Sequence, residues 1–271
     1  MKYLKGDKYH FTLYNNKLLL IFDERLKTIK ISMASKTVDQ HPYKKAGAGF
    51  WGGLILTYLL LALILLLIGW DLAWWQGWLF SVSFLVIGIG SRILAEKRHP
   101  GLMAERSKFG KDQNVKPWDK VLAPLMAFSL SIPLFIVAGL DHHFGWSPEF
   151  PIWLNIVGFI LIIPGYVFAS WAIIENRFFS SVTRIQMERG HEVCDSGPYR
   201  VVRHPGYAGN IPPLVGIVLA LGSVWTLIPA VIALIIALIR TILEDRTLHE
   251  ELPGYSEYAK RVPYKLIPGI F

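Results

Sequence analysis

Cysteine is almost missing: Cys194 is the only one in 271 residues. That excludes an intrachain disulfide and a thiolate-rich metal site, and it leaves no mark of the redox compartment. Charge is scarce too, at 18% of residues, against a hydrophobic fraction of 53% with ten tryptophans. This balance lies outside what a soluble domain carries. No repeat of solenoid period and no low-complexity linker divides the chain, so neither an array nor a string of separate modules fits. The first forty-odd residues are polar and charged where a cleavable signal would need an apolar core. The expectation is an integral membrane protein, an all-α polytopic transmembrane helical bundle.

Three regions follow from the hydropathy pattern. Residues 1–49 are a basic preface, in which Tyr9–Tyr14 and Lys17–Phe22 flank Asn15-Asn16 and read as two short strands around a turn. Met33 opens the stretch that leads into the first apolar run, so residues 1–32 are expected to be dispensable or to follow from a misplaced start. Residues 50–174 carry four apolar segments, Phe50–Trp70, Trp74–Leu94, Val121–Leu140 and Ile152–Ile174, with a basic loop at 95–120. Each approaches the roughly 20 helical residues that cross a bilayer. Residues 175–271 carry the last two, Tyr207–Gly222 and Trp225–Leu243, joined so tightly that 207–243 is expected to be a helical hairpin. Its first arm reaches only about 24 Å at 1.5 Å per residue and is expected to sit partly inside the protein.

Basic residues test the six-span count. Of 28 lysines and arginines, ten precede the first segment, eight lie between Arg92 and Lys120, five between Arg177 and Arg203, and five from Arg240 onward. The connections 71–73, 141–150 and 222–224 hold none. By the positive-inside rule both termini and both basic loops face the cytoplasm, across the plasma membrane in a prokaryote or the endoplasmic reticulum in a eukaryote. The net charge of +8 then sets orientation and does not signal a nucleic-acid partner. Trp70, Trp74, Trp75, Trp78 and Trp146 read as anchors at the opposite boundary.

The polar residues of unusual density all fall on the basic side and bracket the hairpin. Before it stands Ser196-Gly197-Pro198-Tyr199-Arg200-Val201-Val202-Arg203-His204-Pro205-Gly206-Tyr207; after it comes Arg240-Thr241-Ile242-Leu243-Glu244-Asp245-Arg246. Arg240 and Glu244 are four apart and share a helix face. Taken singly each has an ordinary reading: His204 a turn histidine, Tyr207 an interfacial anchor, Arg240 with Glu244 a snorkelling surface pair. The hairpin is what returns the pair to the same membrane face as the histidine. Arg98-His99-Pro100-Gly101 echoes Arg203-His204-Pro205-Gly206 without its flanking tyrosines, and His99 reads as a helix stop. Asp141-His142-His143 looks like a metal patch but reads as a solvated loop without further ligands, and no metal site is expected.

The stretch from about Glu175 to Phe271 resembles the isoprenylcysteine carboxyl methyltransferase family and its phospholipid methyltransferase relatives. The resemblance rests on Gly197-Pro198-Tyr199, Arg203-His204-Pro205-Gly206-Tyr207, Arg240 ahead of Glu244-Asp245, Tyr255-Ser256-Glu257-Tyr258 and Val262-Pro263. It implies methyl transfer from S-adenosylmethionine to a lipophilic small-molecule or lipidated acceptor delivered through membrane lipid, with a cofactor pocket at the cytoplasmic face. It places His191, Glu192, Val193, Cys194, Tyr199, His204, Pro205, Gly206, Tyr207 and Glu244 at the cofactor, and Arg240 at the acceptor as the catalytic residue. Asp245 stands where the family usually has a second glutamate, which leaves its role open. An arginine facing the acceptor suits a carboxylate, which is its own nucleophile.

Two other readings stand beside it. Membrane sterol or steroid reductases also carry a His-Pro-x-Tyr block and a tail like Val262-Pro263-Tyr264-Lys265-Leu266-Ile267-Pro268-Gly269-Ile270-Phe271, which would mean NADPH and hydride transfer. No added basic cluster for a 2′-phosphate is visible, and Arg240 with Glu244-Asp245 follows the methyltransferase pattern. A transporter would place polar groups near the midplane, whereas the spans hold little beyond Ser81, Ser83, Ser129, Ser131 and Asn155.

Overall fold

A computed structural model describes residues 45–108 and 114–271. The expected strand pair at 9–22 and the question of Met33 lie outside these residues. Every contact below falls within the unit formed by residues 43–186 and 191–271. The described residues form helices α1 (Ala48–Gly69), α2 (Trp75–Arg98), α3 (Leu102–Arg106), α4 (Asp119–Ser129), α5 (Ile132–Phe144), α6 (Ile152–Glu175), α7 (Pro205–Ala208), α8 (Ile211–Leu221), α9 (Leu227–Glu251) and α10 (Tyr255–Arg261). Among the described residues five stretches are long and apolar enough to cross a membrane: 48–69, 75–98, 119–144, 152–175 and 224–251. The sixth, Pro205–Leu221, is shorter.

The third span is not one helix. Ser131 leaves helical geometry at φ −121°, ψ −101°, and Pro133 sits in the first turn of α5. Proline cannot donate a helix hydrogen bond and disfavours helical geometry in the residue before it, so a break falls just upstream. The Ser131 hydroxyl compensates by donating to the Ala127 carbonyl at 2.6 Å. α4 is consequently a separate half-span at the basic end, and it begins with Asp119.

The short arm is an interior element. Seven residues of α8 are buried, among them Gly216, Ile217, Ala220 and Leu221. Its seam with α6 is built from small residues. A Cβ on Gly158 would meet the Ala220 backbone nitrogen at 2.3 Å, one on Gly165 would meet Pro213 Cδ at 2.6 Å, and one on Gly209 would meet the Ala169 nitrogen at 2.5 Å. With lipid as apolar as any side chain, such close backbone approach is how membrane helices gain packing energy. Asn155 pins the far end of the seam by donating to the Leu219 carbonyl at 2.9 Å.

Two expectations at the charge-poor end are corrected. Asp141 is 2% exposed, not solvated. It accepts from the Ser147 backbone N–H and hydroxyl, both at 2.7 Å, and from the Ser223 hydroxyl, tying the hairpin turn to the end of α5. Trp74 is no boundary anchor: it is buried and stacks on His142 with ring centroids 4.0 Å apart. His142 is in turn paired with Asp71 at 3.0 Å. Among the described residues no group of three or more His, Cys, Asp or Glu could hold a metal ion. At the basic end His99 follows the last residue of α2, and its ring bonds the Glu175 carbonyl at 3.1 Å, so the echo of the motif is a helix terminus docked on α6.

Candidate active site

α6 stops at Glu175, and the chain runs irregularly from there to α7, a single turn opened by Pro205. Two features hold this segment under the bundle. Gly197 takes φ +55° with the Glu175 side chain against it, so a Cβ there would be 2.9 Å from Glu175 Cγ as well as strained. The C-terminal tail then pairs with the motif backbone: the Arg203 N–H donates to the Tyr264 carbonyl and the His204 N–H to the Lys265 carbonyl, each at 2.9 Å. Tyr258 adds a third tie by donating to the Tyr199 carbonyl at 2.7 Å.

Asp245 is the hub. Its Oδ1 accepts from Arg203 Nε at 2.8 Å and from the Tyr255 hydroxyl at 2.8 Å, and lies 3.1 Å from His204 Nε2. Its Oδ2 accepts from Arg203 Nη2 at 3.1 Å, completing a bidentate fork. Arg203 spends its remaining edge on the Val262 and Pro263 carbonyls, at 3.0 and 2.6 Å. Burial alone would depress this guanidinium, but the Asp245 carboxylate outweighs burial and holds it above its ordinary value. Tyr255 and Tyr258 are pushed up, first by burial, and Tyr199 well up for the same reason, so all three remain protonated donors. The shorter side chain of Asp245 is a buried anchor joining α9, α10, the motif and the tail.

Glu244, one residue earlier, points about 100° around the helix and faces differently. It is half-buried and accepts from the Tyr207 hydroxyl at 2.8 Å. Arg240, one turn back on that face, lies with Cζ 5.7 Å from the centre of the same tyrosine ring. The expected shared face is therefore real, with Tyr207 spanning both charges.

Arg240 has a partner that the sequence did not disclose. Asp119, at the start of α4, accepts from its Nε at 2.7 Å and its Nη2 at 2.9 Å. Asp119 is fully buried and Arg240 is 4% exposed. Asp119 Oδ2 also accepts the Thr183 N–H at 2.5 Å, which draws in the loop after α6. Of the arginine only Nη1 remains, 3.6 Å from Met126 Sδ. The carboxylate expected from an acceptor is thus supplied to this fork by the chain. A signal for Asp119 did exist: an arginine inside a span needs a counter-charge, and few acids border the spans at the basic end.

The remaining predicted residues divide into two groups. Val193 and Cys194 pack with Tyr199, Leu252, Tyr255 and Tyr258 beside the hub. Burial raises the Cys194 thiol above its ordinary value, which keeps it neutral. His191 and Glu192 lie apart from the hub: His191 is against the Phe178 ring at 4.6 Å and Glu192 is 3.6 Å from Arg177. Pro205 is buried, and Gly206 lies under the Phe179 ring, where a Cβ would be 3.0 Å from Cζ.

Residues 153–253, which run from α6 through the hub to the end of α9, match the phospholipid methyltransferase family model. The chain is similar to the isoprenylcysteine and phospholipid methyltransferases. It is 26% identical over 147 residues to a rice protein (Oryza sativa subsp. indica) named probable protein-S-isoprenylcysteine O-methyltransferase, covering 52% of this chain and 68% of that one. Protein-S-isoprenylcysteine O-methyltransferase B of Arabidopsis thaliana is 31% identical over 128 residues, 46% of this chain and 61% of the relative. Its A counterpart is 34% identical over 90 residues, 33% and 41%. These matches select a membrane methyltransferase and not the hydride-transferring alternative. The region matching the family model carries Tyr199, His204, Tyr207, Arg240, Glu244 and Asp245, while α1 to α5 lie outside it.

Proposed function

We propose that this methyltransferase takes S-adenosylmethionine at the cytoplasmic face and methylates a carboxylate on a lipophilic acceptor, of the isoprenylcysteine type. The observation that carries the reading is the pairing of Tyr207 with both Glu244 and Arg240 directly beside the Asp245 hub. Glu244 keeps its Oε1 without a hydrogen bond among the described residues, a carboxylate open to the ammonium of the cofactor. The Tyr207 ring offers a π face to a sulfonium, and Tyr199, Val193 and Cys194 offer apolar wall to the adenosine. This donor set fits the cofactor. When bound, S-adenosylmethionine supplies an electrophilic methyl group; its transfer forms an O–C bond on the acceptor, returns the S–C electron pair to sulfur and moves no proton.

Alignment and dryness are what the chain contributes. The Arg203–Asp245–His204 lock and the tail hold the motif still. Arg240, charged and anchored on Asp119, fixes the Tyr207 ring and offsets the Glu244 charge. His191 and Glu192 would close the cofactor side from the Phe178 flank. Residues 175–271 act as the methyltransferase region, 50–174 shape the acceptor's path, and 1–49 with both termini stand in the cytoplasm.

Titration of the purified protein with S-adenosylmethionine and separately with NADPH tests the cofactor; binding of NADPH alone would overturn it. A screen of prenylcysteine, phospholipid, fatty acid and amine acceptors with labelled methyl donor tests the rest. Labelling that resists mild alkali, where a methyl ester hydrolyses, would sink the carboxylate.

A further inference from the structure

The bidentate fork of Arg240 is spent on Asp119, so recognition of an acidic acceptor needs other cations. We propose that Arg92 and Arg106, outside the family-matched region, form the anion-binding site for the acceptor's head group; this rests on the methyltransferase reading above. Neither arginine has a carboxylate partner among the described residues, while Arg98, Arg177, Arg184, Arg203, Arg240, Arg246 and Arg261 there do. Both are instead partly buried against aromatic faces. Arg92 Cζ stands 5.6 Å over the Tyr58 ring, and its Nη1 donates only to the Gly88 carbonyl at 3.1 Å and the Ser91 hydroxyl at 3.0 Å. Arg106 Cζ stands 5.3 Å over the Phe179 ring and reaches the Phe179 carbonyl only at 3.5 Å.

The two converge where α2 meets α3: Arg92 stands one helical turn before Glu96, whose carboxylate accepts the first N–H groups of α3, the helix that ends at Arg106. Burial first, and then the charge of Arg92, pull the Arg106 guanidinium below its ordinary value, with Tyr58 the opposing influence. Two cations left close together without a counter-ion are a costly arrangement unless an anion visits. Nor is Arg106 a loose surface chain. Gly101 caps the start of α3 at φ +88°, the Glu96 carboxylate accepts the Gly101 and Met103 N–H groups at 3.0 and 2.9 Å, and Leu102 and Met103 are fully buried. The position also fits transfer. The Phe179 ring that carries Arg106 on one contact touches Gly206 on another, so the site lies one aromatic ring from the motif assigned to the cofactor. Tyr58 and Arg92 lie on the first two spans, whose outward faces are lined by exposed apolar side chains such as Leu56, Leu59, Val86 and Leu94, a surface for the lipid tail of the same molecule.

A carboxylate and a phospholipid phosphate would both satisfy two guanidiniums, and the test separates them. In nanodiscs, affinities are measured for S-adenosylmethionine, for N-acetyl-S-farnesylcysteine with S-adenosylhomocysteine present, for its carboxamide, and for phosphatidylethanolamine. Arg92→Gln and Arg106→Gln are each expected to weaken the carboxylate probe at least tenfold while moving cofactor affinity less than twofold. The carboxamide should bind poorly to wild type and be insensitive to both changes, and Arg92→Lys with Arg106→Lys should restore most of the loss. A loss confined to phosphatidylethanolamine would assign the same site to a phosphate. Unchanged affinity for both acceptors with the cofactor still bound would overturn the inference alone. Cofactor affinity falling in step with the probe, in the Lys variants as well, would overturn it as a structural effect. A wild type that binds no S-adenosylmethionine would take down the methyltransferase reading, and this inference with it.

Discussion

Replacing Asp119 by asparagine should be among the most damaging single changes in the protein, and the geometry says why. Oδ1 receives Arg240 Nε; Oδ2 receives both Arg240 Nη2 and the Thr183 N–H. An asparagine has one oxygen, so whichever way the amide turns its NH2 group confronts a donor, and Arg240 keeps a buried charge without its partner. Breaking a buried pair from one side costs about 3–5 kcal/mol. At roughly 2–4 °C per kcal/mol for a chain near this size, the melting temperature should drop on the order of 10 °C. The assay is thermal unfolding in detergent, followed through tryptophan fluorescence, of Asp119→Asn, Arg240→Met and the double variant Asp119→Leu with Arg240→Met. The double variant removes both charges and should recover most of the lost stability, since apolar replacement of a buried pair is often neutral. It should nonetheless turn over slowly, because Tyr207 and Glu244 lose the cation beside them. Additive losses in the double variant, or a fall of under 1 °C in Asp119→Asn, would refute the coupling.

Other predictions concern the site and its support. Tyr207→Phe removes a hydrogen bond to a carboxylate worth about 1.5–3 kcal/mol and should weaken S-adenosylmethionine binding about tenfold or more; an unchanged Kd by calorimetry would count against Glu244 as the ammonium site. Because burial raises the Cys194 thiol, its thiolate fraction at pH 8 should be below that of a free cysteine. Alkylation by iodoacetamide should therefore be slow, accelerate only at higher pH, and be slowed further by bound cofactor, as intact mass would report. Gly158→Ala drives a Cβ into the Ala220 backbone and should cost about 1–3 kcal/mol as an overpacking change. Gly53→Ala, with open space around it, serves as the neutral control in the same melting assay.

The spans were legible because each is a long apolar run, and the short arm because its length is too small for lipid on all sides. Pro133 signalled the break in the third span, but hydropathy averages over such a residue and conceals it. The motif residues His204, Tyr207, Arg240 and Glu244 were legible as a set once the hairpin returned the last two to the first. Partners distant in sequence were not. Asp119 meets Arg240 across 121 positions, and Asp141 meets Ser223 across 82, which is why one went unnoticed and the other looked like a solvated loop. Neighbours in sequence likewise conceal opposite duties: Glu244 and Asp245 face different ways, and only packing says which is the anchor.

The pairing of Arg203 and His204 with Tyr264 and Lys265 bears on how alleles of this gene should be read. A premature stop after Pro263 would leave every span, the histidine motif and the acidic pair intact, and a domain diagram would score it as complete. It would also strip two buried amide groups of their acceptors and remove the loop that Leu266 and Ile267 close on the Phe271 carbonyl. Such a truncation belongs with the null alleles.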